Sequence, residues 1–430
     1  MSEINIRLIE REEAGNPIQV AVIGCGQMGT EIITQIGEMK GMDVAVVVDL
    51  DEKRARAGYA ASKKAAGAEI IFTNDAAEAA EAAAAGKKIA TSDYRVAIGL
   101  PRVESVVDAT GSTYMGALTS LACIDAKKHI VMMNVECDVT IGPIIRRMAE
   151  NAGVVYSLAA GDEPAAIMEL WRFATALGFE VVAAGKGKNN PLNYYSTPDT
   201  EQSKADERSM SSRMLCEFVD GSKTAIEMAS VSNATGLKPD IRGMHCAHAK
   251  VPDLNTTFIP EEDGGILKSS GIVDFAIGVH PGVFLVVKTD NKRIMEGMGQ
   301  RDMGDGPYYT LYRPYHLCSV EVPITIAQGV LYGESSGHPR EKLTSECIAV
   351  AKRGLKAGQV LGGIGEFDYR VSIDSAETAR EENLLPAGLA LGCTLKEDIP
   401  VDTVITWDMI ASPNESALLD LRRLQDRLYS

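Results

Sequence analysis

The stretch IQVAVIGCGQMG, residues 18–29, decides the fold of the N-terminal part of the chain. It joins a short, mostly apolar run, typical of a buried strand, to the pattern G-x-G-x-x-G. In that pattern the first glycine permits a tight turn, the second lets the backbone approach a pyrophosphate, and the third lets the next helix pack on the strand. The phosphates then meet the N-terminus of that helix, where backbone N–H groups are free to donate. The stretch predicts a dinucleotide site made by Gly24, Gly26, Gln27, Met28 and Gly29.

Outward from this stretch, short apolar runs alternate with segments of helical spacing. The further strands that we predict are residues 44–48, 105–108, 129–133 and 154–157. The helices between them include residues 29–40, 76–86 and 115–127. Continuous β-branched runs indicate strands that are covered on both faces, as in a parallel sheet. The alternation therefore predicts the α/β class, with a Rossmann doubly wound parallel sheet over residues 1–160.

The pattern changes after residue 161, where we predict an α+β catalytic, substrate-binding and dimerisation domain over residues 161–335. Its elements would be a helix at 164–177 and strands at 181–184, 225–230, 273–279 and 282–289. An apolar helix at 324–331 is expected to return to the first domain. Residues 333–340 have the composition of a linker, and we predict a third, small β-rich domain over residues 341–430.

The composition excludes some classes of function. The formal net charge is −16, from 43 Lys and Arg against 59 Asp and Glu, which argues against nucleic acid and against an anionic membrane as partners. The chain has eight scattered cysteines, no apolar run of 18 residues, and a charged N-terminal segment without the apolar core of a signal peptide. We therefore expect a cytoplasmic protein with reduced thiols.

Asp49 stands at the end of the second predicted strand, where an acidic residue usually binds the 2′-hydroxyl of the adenosine ribose and favours NAD. Lys53, Arg54 and Arg56 follow closely and would neutralise the 2′-phosphate of NADP, so these residues leave the choice of cofactor open. The other predicted cofactor-binding residues follow two later strands and are Ala109, Thr110, Gly111, Asn134 and Val135. Ligands of such sheets lie outside the carboxyl ends of the strands, although ordinary strand-end turns have a similar composition.

The string GKGKNN, residues 185–190, is the most unusual in the chain, and we predict it to be a loop after a strand. Lys186, Lys188 and Asn189 would there present ammonium and amide groups to an oxygen-rich substrate, unless the loop is only a solvated turn. Glu227 lies four residues after Lys223, and in an extended segment the two would share a face as an acid and a base. A surface ion pair is the alternative.

A second polar cluster combines cations with hydroxyl groups, as a phosphate-binding site does, although a mobile surface loop would have the same composition. Its members are Lys204, Arg208, Ser209, Ser211, Ser212 and Arg213. Candidate ligands for a magnesium or manganese ion are Asp162, Glu163 and Glu227, because these ions prefer oxygen. The close group His245, Cys246 and His248 suggests zinc, but a second pair with suitable spacing is missing.

The order of these motifs resembles the homoserine dehydrogenase superfamily over residues 17–200. The shared features are the G-x-G-x-x-G pattern, Asp108-Ala-Thr-Gly111, a strand that ends at Asn134, and the Gly161-x-x-Pro164 helix start. The family carries a lysine where this chain has Val135, and an Asn-Gly-Thr turn where it has residues 188–190. Homoserine or aspartate semialdehyde chemistry is therefore not the first expectation.

The C-terminal segment resembles a SAF domain, through Lys352-Arg-Gly-Leu-Lys-Ala-Gly-Gln-Val360, Leu385-Pro-Ala-Gly388 and Thr406-Trp-Asp-Met409. A Rossmann oxidoreductase joined to such a segment is similar to the 1-deoxy-D-xylulose 5-phosphate reductoisomerase-like enzymes. That resemblance implies NADPH, a divalent metal, a homodimer, and reductive isomerisation of a small phosphorylated sugar. The alternatives are an oxidoreductase acting on another small hydroxy-carbonyl compound, and a non-catalytic dinucleotide sensor.

Overall fold

The structure, a computed structural model, describes residues 3–208 and 210–429. The chain forms two compact units. The first contains the chain up to Asp162 together with Leu317–His338 and Leu421–Leu428, and the second contains Glu163–His316 and Pro339–Asp420. The predicted third domain at 341–430 thus contributes most of its residues to the second unit, and its independence stays a prediction. No helix within the described residues has the length and apolar character needed to cross a membrane.

The first unit is built on a seven-stranded sheet in which every pairing is parallel. Its strands are β1 (Ile18–Ile23), β2 (Met42–Val48), β3 (Ile70–Phe72), β4 (Lys88–Thr91), β5 (Ser105–Asp108), β6 (His129–Met132) and β7 (Tyr156–Leu158). They lie in the order β3-β4-β2-β1-β5-β6-β7. The chain moves outward from β1 through β2 and then returns to pair β5 on the other side of β1. That reversal is the point at which sheets of this type bind ligands.

Helices connect these strands and confirm the predicted α/β class. They are α1 (Ile4–Glu13), α2 (Gln27–Glu38), α3 (Glu52–Ala57), α4 (Ala76–Ala84), α5 (Tyr94–Gly99), α6 (Thr113–Asp125) and α7 (Val135–Ala152). The core under the sheet is formed by apolar side chains of β1, β2 and α2, including Val20, Val22 and Ile32, which have no exposed surface. A doubly wound sheet results because both faces of its strands are apolar and need helices to cover them.

The second unit contains a mixed sheet in the order β10-β11-β8-β12-β13, with β9 also paired to β11. Its strands are β8 (Glu180–Lys188), β9 (Lys238–Pro239), β10 (Ala247–His248), β11 (Ile272–Ile277), β12 (Val283–Lys288) and β13 (Tyr308–Arg313). Its helices are α8 (Glu163–Ala176), α9 (Pro198–Glu207), α10 (Ser212–Val219), α11 (Ser222–Thr235), α12 (Leu254–Thr257) and α13 (Lys292–Gly299). The central strand is β8, which pairs in parallel with β11 and antiparallel with β12.

Two features of this unit correct the predictions from sequence. The string GKGK is not a loop, because β8 continues through it to Lys188. Its glycines are required by close neighbours: a Cβ on Gly187 would lie 1.1 Å from the carbonyl oxygen of Val279, and one on Gly185 would lie 2.6 Å from that of Asp274. Residues 225–230 are not a strand but part of α11, which is buried on every side and therefore lacks the one-sided apolar pattern of a surface helix.

The chain then forms α14 (Cys318–Tyr332), which belongs to the first unit and packs on α2, as the predicted returning helix requires. The remaining elements are β14 (Ser345–Ala351), β15 (Tyr369–Ser375), β16 (Thr394–Leu395), β17 (Ile410–Ser412), α15 (Ala376–Glu381) and α16 (Ala417–Tyr429). The four strands form two small antiparallel sheets, β14 with β15 and β16 with β17. The segment is thus rich in short strands, as predicted.

Candidate active site

The glycine-rich loop between β1 and α2 has the geometry that a dinucleotide needs. Gly24 has a φ of +97°, and a Cβ there would lie 2.7 Å from the carbonyl oxygen of Ala109. A Cβ on Gly29 would lie 1.8 Å from the Gly24 carbonyl oxygen, so helix and strand approach closely only without a side chain. Gly26, by contrast, is exposed and has open space where its Cβ would be. Gln27 is exposed and Met28 half-buried beside it. The loop therefore fits a pyrophosphate, which would lie over Gly26 at the N-terminus of α2.

Asp49 directly follows β2 and faces this loop. Its carboxylate accepts the backbone N–H of Cys25 at 2.9 Å and that of Asp51 at 2.9 Å. Of the basic residues after it, Arg56 is engaged, because it pairs with Glu52 and donates to the carbonyl of Ile70. Arg54 is exposed, as is Lys53. The fixed carboxylate suits a ribose hydroxyl, and the exposed cations suit a 2′-phosphate, so the geometry offers partners to both cofactors.

The ends of β5 and β6 are joined by a buried polar network around Asp108. Its carboxylate accepts the backbone N–H of Thr110 at 2.9 Å and the Thr110 hydroxyl at 2.7 Å. Asn134 is buried and donates to the Ser112 carbonyl at 2.7 Å. Of the predicted cofactor-binding residues here, Ala109 and Thr110 are half-buried, Gly111 is exposed, and Val135 is buried at the start of α7. Asn134 therefore positions the loop from within.

In the second unit, three charged side chains from separate elements converge in the interior. The Lys186 ammonium of β8 donates both to Glu163, the first residue of α8, and to Glu227 of α11. All three residues are at least 93 % buried, with exposed fractions of 7 %, 6 % and 2 %. Burial lowers the pKa of Lys186, but the two carboxylates outweigh it and raise that pKa above its ordinary value. Burial and the charge of Glu163 raise the pKa of Glu227 and outweigh the ammonium groups of Lys186 and Lys223, which lower it.

Lys188 lies two residues along β8 and therefore projects from the same face of the strand as Lys186. Its ammonium donates to the backbone carbonyl of Phe218 at 2.5 Å. Burial and the positive charge of Lys186 lower the pKa of Lys188 to about 8, against the opposing charges of Glu227 and Asp220. A lysine of this kind exchanges its proton near neutral pH, which an ordinary lysine does not. The second unit therefore holds a lysine of lowered pKa beside a buried charge cluster.

Among the predicted phosphate-binding residues, Arg208 has a contact just beyond the end of β8. Arg208, which ends α9, donates to the side-chain oxygen of Asn190 at 3.2 Å, two residues beyond Lys188. Lys204 is exposed on α9, and Ser211 is an exposed N-cap of α10 whose side chain makes no capping bond. Arg213 instead donates to the carbonyl of Ile364 at 3.0 Å. Asn189 is exposed, Ser212 is half-buried, and Ser209 lies outside the described residues.

Glu163 and Glu227, two of the carboxylates predicted as metal ligands, have oxygens within 4.8 Å of one another. Glu163 and Glu227 already share the Lys186 ammonium, which occupies the position of a cation against both of them. Asp162 is buried at the end of the first unit. In the other predicted group, the ring of His245 pairs with Asp240 at 2.6 Å, and His248 is exposed in β10.

Sequence reasoning missed several residues that shape this site. His316 lies 3.6 Å from the Glu163 carboxylate, and Asp220 and Lys352 form a buried pair 2.8 Å apart. Cys246, which the sequence indicated only as a candidate zinc ligand, interacts electrostatically with Lys188 and has a φ of +57°. No local pattern marks these residues, because their partners are far away in the sequence. The sequence indicated Lys352 only as the first residue of the SAF-like motif and gave no sign of its pairing with Asp220.

Comparison with known proteins gives a family match over part of the chain. Residues 161–322 match the family described as "Oxidoreductase DRL, catalytic domain". This range contains Glu163, Lys186, Lys188 and Glu227, and it agrees with the resemblance found in the sequence. No curated protein matches the chain significantly.

Similar solved structures are remote. They include a probable dehydrogenase from Thermotoga maritima, with 16% identity over 74% of this chain and 90% of that one, and a TM-score of 0.40. A myo-inositol 2-dehydrogenase from Lactobacillus plantarum has 10% identity over 74% and 91%, with a TM-score of 0.41. A 3-ketoreductase from Actinomadura kijaniata has 15% identity over 76% and 92%, with a TM-score of 0.38. The family match, rather than these likenesses, supports the assignment of the chain as an oxidoreductase.

Proposed function

We propose that the chain is an NADPH-dependent oxidoreductase that acts on a small phosphorylated hydroxy-carbonyl sugar. The observation that carries the proposal is Lys188, a buried amine with a pKa near 8 beside the Lys186–Glu163–Glu227 cluster. It lies in the part of the chain that matches an oxidoreductase catalytic domain. A sensor that only binds a dinucleotide has no use for buried, partly compensated charges of this kind, which cost free energy to bury.

The proposed substrate is 1-deoxy-D-xylulose 5-phosphate and the product 2-C-methyl-D-erythritol 4-phosphate. The skeleton first rearranges to an aldehyde: one carbon–carbon bond breaks, another forms, and a proton moves from a hydroxyl to the ketone oxygen. Glu227, with its raised pKa, is the proposed base for that proton. NADPH, when bound on the first unit, would supply the hydride that reduces the aldehyde carbon. Lys188 gives its proton to the oxygen, and the Asn189 amide donates a hydrogen bond there.

Phosphate recognition is assigned to the residues around the α9–α10 connection. Arg208 is anchored to Asn190 and so is held beside the end of β8. The exposed ammonium of Lys204 adds a positive charge. The Ser211 hydroxyl, which makes no capping hydrogen bond to α10, adds a donor, as phosphate binding requires. Arg213 is committed to the Ile364 carbonyl, and we propose for it a share of the positive potential only.

The proposal is tested by incubating the full-length protein with this sugar phosphate and NADPH, with magnesium or manganese in one arm and a chelator in the other. We expect oxidation of NADPH with formation of 2-C-methyl-D-erythritol 4-phosphate. Lys188→Met should lower kcat by about 10²–10³, the cost of losing one preorganised donor. Lys204→Ala should chiefly raise KM, because a phosphate contact is similar in ground and transition states.

Different failures have different meanings. Turnover of other hydroxy-carbonyl compounds, but not of this one, would leave an oxidoreductase with another substrate. Tight dinucleotide binding without turnover of any carbonyl compound would refute the enzyme assignment and favour a sensor. Activity restricted to the metal-containing arm would show that Lys186 gives way to a cation, against our interpretation of the cluster.

A further inference from the structure

Lys352, from the SAF-like segment, is buried inside the second unit. It follows β14, and its side chain is 1 % exposed. Its ammonium donates to the Asp220 carboxylate at 2.8 Å, to the Ser196 carbonyl at 2.8 Å and to the Cys216 sulfur at 3.4 Å. Three partners saturate an ammonium, which has three N–H groups. The side chain is therefore fixed in one position.

Asp220 transmits this constraint to the turn between α10 and α11. Its second carboxylate oxygen accepts the backbone N–H of Ser222, the first residue of α11, at 2.9 Å. Its own backbone N–H donates to the carbonyl of Cys216 at 2.8 Å. The Ser222 hydroxyl in turn accepts the backbone N–H of Val371 from β15 at 2.8 Å. The SAF-like segment thus holds both sides of the turn.

The two helices joined by this turn supply partners to both lysines of β8. Phe218, two residues before Asp220, provides the carbonyl that accepts from Lys188. Glu227, in the second turn of α11, is one of the two carboxylates bonded to Lys186. The position of the turn therefore decides how closely the carbonyl approaches Lys188 and how far water is kept from it.

We propose that Lys352 is a positioning residue for the reaction: it acts through Asp220 to hold the α10–α11 turn against β8. The role rests on the proposed function, since it concerns the proton donor of that reaction. A buried ion pair contributes little net stability compared with an apolar pair. We therefore propose that the Lys352–Asp220 pair serves to fix one conformation of the turn. The SAF-like segment then serves the active site directly.

The test compares Lys352→Met with Arg353→Met in the full-length protein. Arg353 is the neighbouring cation of the same motif, and its side chain is 55 % exposed. The measurement is the pH profile of the reaction of Lys188 with an amine-reactive dinitrophenyl reagent, quantified by mass spectrometry. It uses no substrate, so it succeeds or fails independently of the proposed activity. The midpoint of the profile, rather than the rate, is compared, because the midpoint does not depend on access.

In the wild type the midpoint should lie near pH 8. The titratable groups that act on Lys188 include Lys186 on β8, Glu227 on α11, Asp220 in the turn and Cys246 before β10. In Lys352→Met the turn loosens and lets water reach Lys188, and Asp220 loses its cationic partner. The added water and the uncompensated carboxylate both favour the ammonium form of Lys188. The midpoint should therefore rise by about one pH unit or more. Arg353→Met should match the wild type. An unchanged midpoint in Lys352→Met would overturn the proposal.

A second variant covers the case in which Lys352→Met does not fold. Asp220→Asn combined with Lys352→Met removes both buried charges, a change that proteins often tolerate, and the asparagine oxygen can still accept from Ser222. Its midpoint should lie between those expected for the wild type and the single variant. With the sugar phosphate as substrate, kcat should fall in both variants while KM for NADPH stays constant. A wild-type midpoint in the double variant would also refute the role.

Discussion

Replacing Lys188 by methionine should make the second unit more stable, although most substitutions of buried residues destabilise. The pKa of Lys188 is about 8 in the folded protein, against an ordinary value of 10.5. At about 1.4 kcal/mol for each tenfold change in the protonation equilibrium, this difference corresponds to about 3 kcal/mol of destabilisation by the charged form. Methionine removes that cost but leaves the Phe218 carbonyl without its donor, which costs about 1–2 kcal/mol. The net gain at pH 7 is therefore about 1–2 kcal/mol.

The gain must depend on pH in a defined direction. Because the folded pKa of Lys188 is the lower one, the unfolded chain binds more protons between pH 8 and 10.5. The free energy of unfolding of the wild type therefore rises with pH across this window. The advantage of Lys188→Met is complete below pH 8 and is lost by about pH 9–9.5. Above pH 10.5 the variant should be less stable than the wild type by about 1–2 kcal/mol, the cost of the Phe218 carbonyl without its donor.

Lys186→Met is the matched comparison, since Lys186 lies on the same face of the same strand. It leaves Glu163 and Glu227 buried without their shared ammonium, and we expect a loss of about 3–5 kcal/mol at pH 7. Urea titration followed by tryptophan fluorescence measures both changes in the relevant part of the molecule, because Trp171 and Trp407, the two tryptophans of the chain, belong to the second unit. Destabilisation of Lys188→Met at pH 7 would refute the reasoning about its burial.

Gly26→Val should abolish dinucleotide binding, measured by calorimetry, with the thermal unfolding midpoint unchanged, because its Cβ meets only open space. Gly29→Val should instead unfold the first unit, since its Cβ would meet the backbone 1.8 Å away; intact folding of this variant would contradict the described helix–strand contact. For carbonyl reduction, kcat/KM should fall as pH rises through about 8, where Lys188 loses the proton that it donates, and a profile flat to pH 10 would exclude this donor. Arg54→Ala should reduce kcat/KM for NADPH about tenfold and leave kcat/KM for NADH unaffected. Asp49→Ser should increase the preference for NADPH over NADH further. A wild type that prefers NADH, together with no effect of Arg54→Ala, would reverse the proposed preference. Light scattering should give twice the mass of the chain if the homodimer implied by the family resemblance forms, and the mass of one chain would reject it.

The first unit was readable from the sequence because its signals are local. The glycine pattern and the apolar runs directly encode β1, α2 and the strands beside them, and the predicted ranges differ from the observed elements by only a few residues. Buried strands separated by helices are typical of parallel sheets, so the doubly wound class followed from the alternation. The short strands β3 and β4 were not among the predicted ranges.

The second unit was less readable because its elements are shaped by distant partners. Gly185 and Gly187 suggested a loop, although they are glycines because neighbouring chain segments leave no room for a Cβ. The burial of α11 on all sides removed the helical pattern from its sequence. Glu163 and Glu227 were both singled out, but as metal ligands, since nothing local indicates that Lys186 lies between them. The sequence shows which charged and polar side chains are present, but the packing of distant segments decides which of them pair.

The pairing of Asp220 with Lys352 has a consequence for how the protein is made. The two residues are 132 positions apart, so the ribosome must synthesise most of the chain before the pair can close. The first unit is also completed late, by Leu317–His338 and Leu421–Leu428. A domain formed from one continuous segment usually folds as soon as that segment has been synthesised. Neither unit of this chain can do so, because each needs residues from later in the sequence. During synthesis the buried surfaces of both units therefore stay incomplete. A chain released before residue 352 lacks Lys352, the cation that pairs with Asp220 in the full-length protein.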